Sequence, residues 1–510
     1  MTHLEADFIV VGAGTSGCVV AHRLLERTDA TVLLLESGPA YPAFVLDVPL
    51  ASLSLRRKWS WSLRSVPQAS LLGRSILFPM GRVVGGSSAV NAMIAVPGMP
   101  QTFDAWGDAG DEGWRGSEMM QAFGRAAAED GSAPITISES RHRAPFSEAF
   151  LDACVQSGLQ QTRLLRGDAA ETCGWFPVFQ NQGKRQSAGQ EVLATNSHSQ
   201  RLRLLTGVDV RRVVFDNRIA KGVELQSAGK RVQAHARQGV ILAAGALGSP
   251  KLLLCSGIGS ADVLCGTGVN LEVDLPGVGE NLQDHFGVPL VYSSKQPSPG
   301  RKSHWVTAAW QYLRSRDGVM ASTCGEVGCF LTVGNEKQPS IIELFAMFQT
   351  NRAPQAVELM CVLSQPMSSG SIRLNPDDPW GGAVIDPNYL SHSQDWDTLI
   401  KGMHRAREIA SCPALRSFCV ANELRPKGMD DREYISTHGT TFHHPVGGCC
   451  MGQDDMAVVD PELRVRGTDR LWVADNSIAP CITNAHTAAL ALMIGERAAD
   501  LITAETKKSI

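Results

Sequence analysis

The chain has 510 residues, 44% of them hydrophobic and 19% charged, with a formal net charge of −4. That composition excludes a disordered chain, and the near-neutral balance excludes a bulk electrostatic drive toward nucleic acid or an anionic membrane. The start, MTHLEADFIVVGAG, has no basic segment leading into a long apolar run, and no uncharged apolar stretch reaches about 18 residues. The expectation is a cytoplasmic protein, and its 13 scattered cysteines are expected as free thiols.

In chain order, Asp7–Val11 reads as a short buried strand, Ser16–Glu26 as a helix and ATVLLLE, 30–36, as a second buried strand. Strand, glycine turn, helix and strand make a βαβ unit. Residues 38–110 are rich in loop signals, with a second glycine cluster at 81–86, and Ser147–Ser157 reads as a helix. The segments RLRLLTGVDVRRVVFD, IAKGVELQ and RVQAHAR predict a three-part antiparallel meander over 201–236. GVILAA, 239–244, is a buried strand that turns into a short helix. Strands are expected at Glu326–Leu331 and Ser340–Phe348, and an amphipathic helix at Thr398–Ser411. Leu471–Ala474 reads as a buried strand and Ala485–Thr503 as a long helix. This order predicts a mixed α/β fold, a doubly wound domain joined to an antiparallel-sheet domain. With no linker between them, the chain is expected to cross more than once.

The turn after the first strand is Gly12-Ala13-Gly14-Thr15-Ser16-Gly17. The first glycine of such a turn permits its tightness, the second lets a pyrophosphate approach the backbone, and the third lets helix pack on strand. The helix N-terminus then faces the anion. Glu36 closes the next strand, where a carboxylate accepts from ribose hydroxyls and repels a 2′-phosphate. The pattern identifies a dinucleotide site without separating FAD from NAD.

Further segments match one family together. They are GRVVGGSSAVN (81–91), GALGSPKLLL (245–254) with SGIG (256–259), LPGVGENLQDH (275–285), SGSIRL (369–374), IDPNYL (385–390), HPVGG (444–448) and VADNS (473–477). The set resembles the glucose–methanol–choline (GMC) flavoprotein oxidoreductases, in order, from residue 7 to about residue 503. The resemblance implies a Rossmann-like FAD-binding domain, discontinuous in sequence, over 1–295 and 455–510. It implies a substrate domain on an antiparallel sheet over 296–454, and oxidation of an alcohol. It places Arg82, Gly85, Gly86, Ser87, Asn91, Ala92, Met93 and Thr487 along the cofactor, Val210 at the adenine, and Asp475 near the ribityl chain and pyrophosphate. Val90 stands where some members carry a histidine bonded to the flavin, and valine has no nucleophile, so non-covalent FAD is expected.

Flavin-dependent alcohol oxidation needs a base for the hydroxyl proton while a hydride leaves the carbon. An imidazole suits that task near neutral pH. His444 matches the family's catalytic histidine, and His443 is expected to point elsewhere because side chains alternate along extended backbone. His486 falls at the second family position, as partner for the substrate oxygen; Asn484 would take that place under a two-residue shift. Glu326 and His443 are the candidate substrate contacts; an acid at Glu326 would favour an amine-bearing alcohol, and structural pairing is its other reading. Trp305, Trp310, Phe345 and Phe348 are read as core or as an aromatic pocket. After His444-Pro445-Val446-Gly447 the family's usual Thr-Cys-Arg-Met-Gly is here Gly448-Cys449-Cys450-Met451-Gly452, which removes an arginine and puts the substrate geometry in doubt.

No G-x-S-x-G elbow is present, and the histidines and cysteines around 438–450 lack metal-site spacing, so neither a hydrolase nor a metal is expected. The expected partners are a small alcohol, of aryl, heteroaryl or amino type, and O2 or another electron acceptor, with oxidase favoured over dehydrogenase. The rival readings are an FAD-containing hydroxynitrile lyase and a non-catalytic flavin-binding protein. Substrate identity, stereochemistry and oligomeric state are not legible.

Overall fold

The structure, a computed structural model, describes residues 4–108, 112–193, 199–295, 305–335, 338–348, 356–424 and 428–508. Two sheets organise it. The first is built on β1 (Leu4–Val11), α1 (Thr15–Arg27), β2 (Val32–Glu36), β3 (Leu202–Thr206), β4 (Val208–Asp216), β5 (Ile219–Ser227) and β6 (Lys230–Leu242). Its strand order is β3-β2-β1-β6-β5-β4, with the short strand Leu471–Val473 beside β6. β1 runs parallel to both β2 and β6, as a right-handed βαβ unit with both faces covered requires. Its residues Ile9 and Val10 are wholly buried accordingly.

The expected meander is corrected at its first segment. Gly207, at φ +69°, breaks RLRLLTGVDVRRVVFD in two. β3 joins the parallel core beside β2, and only β4, β5 and the first half of β6 pair antiparallel. The apolar run of β6 then enters the parallel core, pairing Val240–Leu242 with β1 and with Leu471–Val473.

The long helix Thr487–Lys508 lies against α1. The two approach closely because Gly495 has no side chain: a Cβ there would sit 2.8 Å from that of Val19. The Ser16 hydroxyl donates to the Ala491 carbonyl at 2.7 Å, and the buried Glu496 accepts from Arg23 at 2.8 Å. Residues almost 500 apart thus close one layer.

The second sheet contains β7 (Phe286–Ser294), β8 (Gly325–Asn335), β9 (Gln338–Phe348) and β10 (Ala356–Leu363), in the order β7-β10-β9-β8. Cys419–Glu423 extends it beyond β7, and Thr172–Trp175 then Gln160–Leu164 extend it beyond β8. Strands therefore reach it from both sides of residue 295. Side chains alternate between the faces. Val288, Leu344 and Cys361 pack toward Leu399 and Met403 of the helix Ser393–Ser411. Phe345, Met347 and Met360 turn the other way, into a cavity between the two sheets.

Candidate active site

The cavity has a volume of about 1540 Å3. That exceeds the roughly 300–1,000 Å3 of ordinary ligand pockets and suits a dinucleotide plus a small molecule. One end is the glycine turn. Gly12 has φ +105°, and a Cβ on it would lie 2.4 Å from the Ala243 carbonyl oxygen. Gly86 crosses Gly14 so closely that its Cβ would fall 2.7 Å from the Gly14 Cα. Side-chain-free backbone from the two clusters therefore forms a single cradle. Glu36 accepts from the Ala13 and Gly38 amides at 3.1 and 2.8 Å, and its burial raises its pKa.

Asp475 also lines the cavity, but its oxygens are engaged by the Gly245 amide at 2.8 Å, the Ser249 hydroxyl at 2.5 Å and the Ser477 amide at 2.9 Å. It fixes the loops that follow β6 and Leu471–Val473. Next to it Asn476 lines the cavity with a buried Oδ1 that has no partner among the described residues, an acceptor left for a ligand. Val210 lines the cavity where the β4–β5 ladder shifts register.

Gly14, Thr15, Ser16, Ser87, Asn91, Ala92, Met93 and Thr487 all face the same space. Gly17 and Gly85 support it from behind: a Cβ on Gly17 would lie 2.0 Å from the Gly12 carbonyl, and the Gly85 amide donates to Ala13 at 2.7 Å. Arg82 stands behind the cavity wall. Its guanidinium stacks 4.1 Å from the Trp61 ring centroid and lies 3.6 Å from Asp209, two residues of the cavity wall.

Sequence reasoning missed Arg185. Its wholly buried guanidinium donates to the carbonyls of Leu46, Ser88 and Asn91, to the Ser52 hydroxyl and to Asn91 Oδ1 at 2.7 Å. Burial pulls its pKa down to about 10, against the opposing influence of nearby Tyr41 and Asp47. With Asn91 Oδ1 also accepting from the Met93 amide, the Asn91 Nδ2 group is left without a protein acceptor among the described residues.

At the other end stand the histidines. His444 and His486 meet edge to face with ring centroids 4.9 Å apart. Phe345 and Phe442 pack on them at 5.3 and 5.5 Å, which keeps water sparse. His444 is placed by backbone: its amide donates to Asp284 Oδ1 at 2.7 Å, while Asp284 Oδ2 accepts from Thr441 and Tyr389. Burial raises Asp284 to about 6.

A second histidine, also missed as a site residue, orders the proton on His444. His285 Nε2 lies 2.9 Å from the Thr483 carbonyl, and His285 Nδ1 lies 2.9 Å from His444 Nδ1. A carbonyl only accepts, so His285 Nε2 carries the hydrogen. Burial holds His285 neutral, down to about 4, so its Nδ1 is an acceptor. His444 therefore donates from Nδ1 and keeps a lone pair on Nε2, which has no hydrogen-bond partner among the described residues. The pKa of His444 falls well below the usual imidazole value through burial first, then the neighbouring His486 and His285.

His486 Nε2 lies 3.2 Å from Oε1 of Glu343, a wholly buried acid on β9 whose pKa burial raises. Glu343 interrupts the apolar run IIELFAMF, and that lone acid in a buried strand was the available signal.

At this end Glu326 takes the structural one of its two readings, Asn484 stands aside from the pair, and His443 departs from the expected alternation. Glu326 faces away from the cavity: its carboxylate accepts from the Ala144 amide at 2.9 Å, the Ser147 hydroxyl at 3.0 Å and the Ser322 hydroxyl at 2.7 Å, which ties the start of the helix Pro145–Gln156 to β8. Asn484 is buried elsewhere, accepting from the Met99 amide and donating to Gly167. His443 lines the cavity beside His444, because a φ of +63° breaks the extended alternation. Trp305 and Trp310 are exposed, Phe345 faces the cavity, and the Phe348 side chain lies outside the described residues.

The GMC oxidoreductase family model matches residues 6–287 with its N-terminal part and 366–495 with its C-terminal part. An alcohol dehydrogenase (acceptor) of Pseudomonas putida is 32% identical, covering 97% of this chain and 95% of its own. The crystal structure of pyridoxine 4-oxidase from Mesorbium loti superposes with a TM-score of 0.86 at 30% identity, covering 97% and 98% of the two chains. A structure of an Aspergillus oryzae formate oxidase variant studied for FAD modification gives 0.90 at 26%, covering 100% of both chains. With both family segments in order and relatives alike over their whole length, the chain belongs to the GMC oxidoreductase family.

Proposed function

We propose that the protein is an FAD-dependent alcohol oxidoreductase that converts a CH–OH group to an aldehyde or ketone. The observation that carries this reading is the pairing of His444 and His486 at one end of a cavity whose other end is the glycine cradle. The cradle fits the FAD pyrophosphate: Gly12, Gly14 and Gly86 leave backbone bare, α1 points its N-terminus there, and Glu36 suits the ribose. Asn91, held by Arg185, and the orphan acceptor of Asn476 suit polar edges of the same group. Val90 offers no atom for a covalent link, so the cofactor is held non-covalently. When bound, FAD supplies the acceptor for the hydride that leaves the alcohol carbon.

The protein's own part is proton management. The Nε2 lone pair of His444 takes the hydroxyl proton, and the resulting positive ring is steadied through Nδ1–H to His285 and on to the Thr483 carbonyl. His486, anchored by Glu343, places its other nitrogen for the substrate oxygen and favours developing alkoxide charge. Phe345, Phe442 and Met360 exclude water and fit the apolar body of a small aryl or heteroaryl alcohol. The amino-alcohol expectation loses its support, because Glu326 faces away from the cavity.

We take O2 as the electron acceptor, as the oxidase names of the structural neighbours support. Adding alcohols to the anaerobic yellow holoprotein tests the reading. Loss of the oxidised flavin spectrum supports it, and a cyanohydrin cleaved with the spectrum unchanged favours the lyase.

A further inference from the structure

The cavity is lined by charges of unequal distribution. The carboxylates among its lining residues are Glu36, Asp209 and Asp475. All belong to the nucleotide end: Glu36 bonds Ala13, Asp209 faces Arg82, and Asp475 holds Gly245 and Ser249. The lobe beside His443 is lined instead by Arg56 and Arg74, with Arg57 and Arg64 more exposed.

Among the described residues the Arg56 guanidinium has neither an ion-pair partner nor a hydrogen-bond acceptor, although its backbone carbonyl accepts from Ser60. Arg74 spends Nε on the Ser436 carbonyl and Nη2 on the Gly439 carbonyl, which leaves its charge uncompensated and Nη1 unused. The acids nearest the histidines do not balance these charges. Asp284 and Glu343 lie behind His444 and His486, off the cavity surface, and are engaged there by the His444 amide and by His486.

His443 gives an independent sign. Its backbone is left-handed at φ +63°, a costly state for a non-glycine residue, and it holds the ring in the cavity wall. The ring Nδ1 is buried with no partner among the described residues. It lies close enough to Arg56 for that charge to lower its basicity. Two arginines without a carboxylate and a strained histidine with an idle nitrogen share one lobe, next to the ring pair that would hold the hydroxyl.

We infer that this lobe is an oxyanion subsite, and that the substrate is an alcohol carrying a carboxylate or phosphate group at the end opposite its reacting hydroxyl. Arg56 makes the charge-assisted contact, Arg74 and His443 supply the remaining polar wall, and apolar Phe345, Met347 and Met360 hold the body between. A single-sign lobe with low-dielectric walls also draws such a substrate inward. The inference rests on the flavoenzyme reading and names the substrate class for that same site.

The test is binding to the anaerobic holoprotein, read from perturbation of the flavin absorbance. Three probes of one shape are titrated: benzoate, phenyl phosphate and neutral benzamide. At low salt at least one anion is expected to bind about tenfold tighter than benzamide, the worth of one charge-assisted contact. Which anion wins tells carboxylate from phosphate. The preference is expected to shrink as salt rises, to disappear in Arg56→Gln and to persist in Arg56→Lys.

Equal or tighter binding of benzamide, no binding of any probe, or a preference unchanged in Arg56→Gln would overturn the subsite. The spectrum of the untreated protein separates the two levels: without bound flavin the parent reading itself fails.

Discussion

At the residue scale the chemistry turns on which nitrogen of His444 is bare. The sequence marks His444 and His486 through their motifs, but says nothing of His285 or Glu343 as their supports, because those contacts join segments 159 and 143 residues apart. Replacing His444 by alanine is expected to leave the flavin bound and lower turnover about 10²–10⁴-fold, the usual worth of a general base. Near-normal turnover would dismiss the assignment. Burial and its histidine neighbours depress the His444 pKa, so the ring stays neutral to unusually low pH. The base is competent above that pKa and lost as pH falls through it. The acid limb of kcat/KM is therefore expected below about 6.5, the ordinary imidazole value, with a flat profile at neutral pH. A limb centred at or above that value would contradict the placement. Glu326 illustrates a role that position alone could not decide. Its removal in Glu326→Ala leaves three donors unmet and should cost about 1–3 kcal/mol of stability, read by denaturant unfolding, without changing KM.

At the element scale, the parts legible in the sequence were those whose period and punctuation agree. β1, β2 and α1 follow from an apolar run, a glycine turn and a second apolar run. Residue 207 shows the limit: strong alternation runs through LRLLTGVDV, so periodicity alone joins what a single left-handed glycine separates into β3 and β4. His443 is the counterpart at the site, where one positive φ cancels the alternation that would turn neighbouring rings apart. The cradle depends on two backbone segments in contact. Gly86→Ala would drive a methyl into the Gly14 backbone, so the expected result is a folded protein of weakened cofactor retention, measured as the flavin-to-protein ratio after dialysis. A ratio equal to that of the unaltered protein would show that the loops have room to part.

At the scale of the whole molecule, the cavity is walled by both sheets and by segments from residue 11 to residue 491. The contacts that close it, such as Ser16 to Ala491, span 475 residues, which is why local patterns cannot place them. A ligand in that cavity links distant parts of the chain and stabilises only the folded state. Restoring FAD to stripped protein at a hundredfold excess over Kd is expected to add about 2.7 kcal/mol, seen as a rise in the unfolding midpoint. An unchanged midpoint would mean that no such ligand bridges the sheets. Among the described residues no helix is long and apolar enough to cross a membrane. In the proposed reaction the glycine cradle and the histidine pair act together. The measurement that tests it most directly is the absorbance of the holoprotein mixed anaerobically with primary and secondary alcohols, neutral and acidic, and then with air. One alcohol class is expected to bleach the flavin, His444→Ala to slow this at least about a hundredfold, and air to restore the colour with peroxide formed. A colourless protein that cannot take up FAD, or a flavin that every alcohol leaves unbleached, would contradict it.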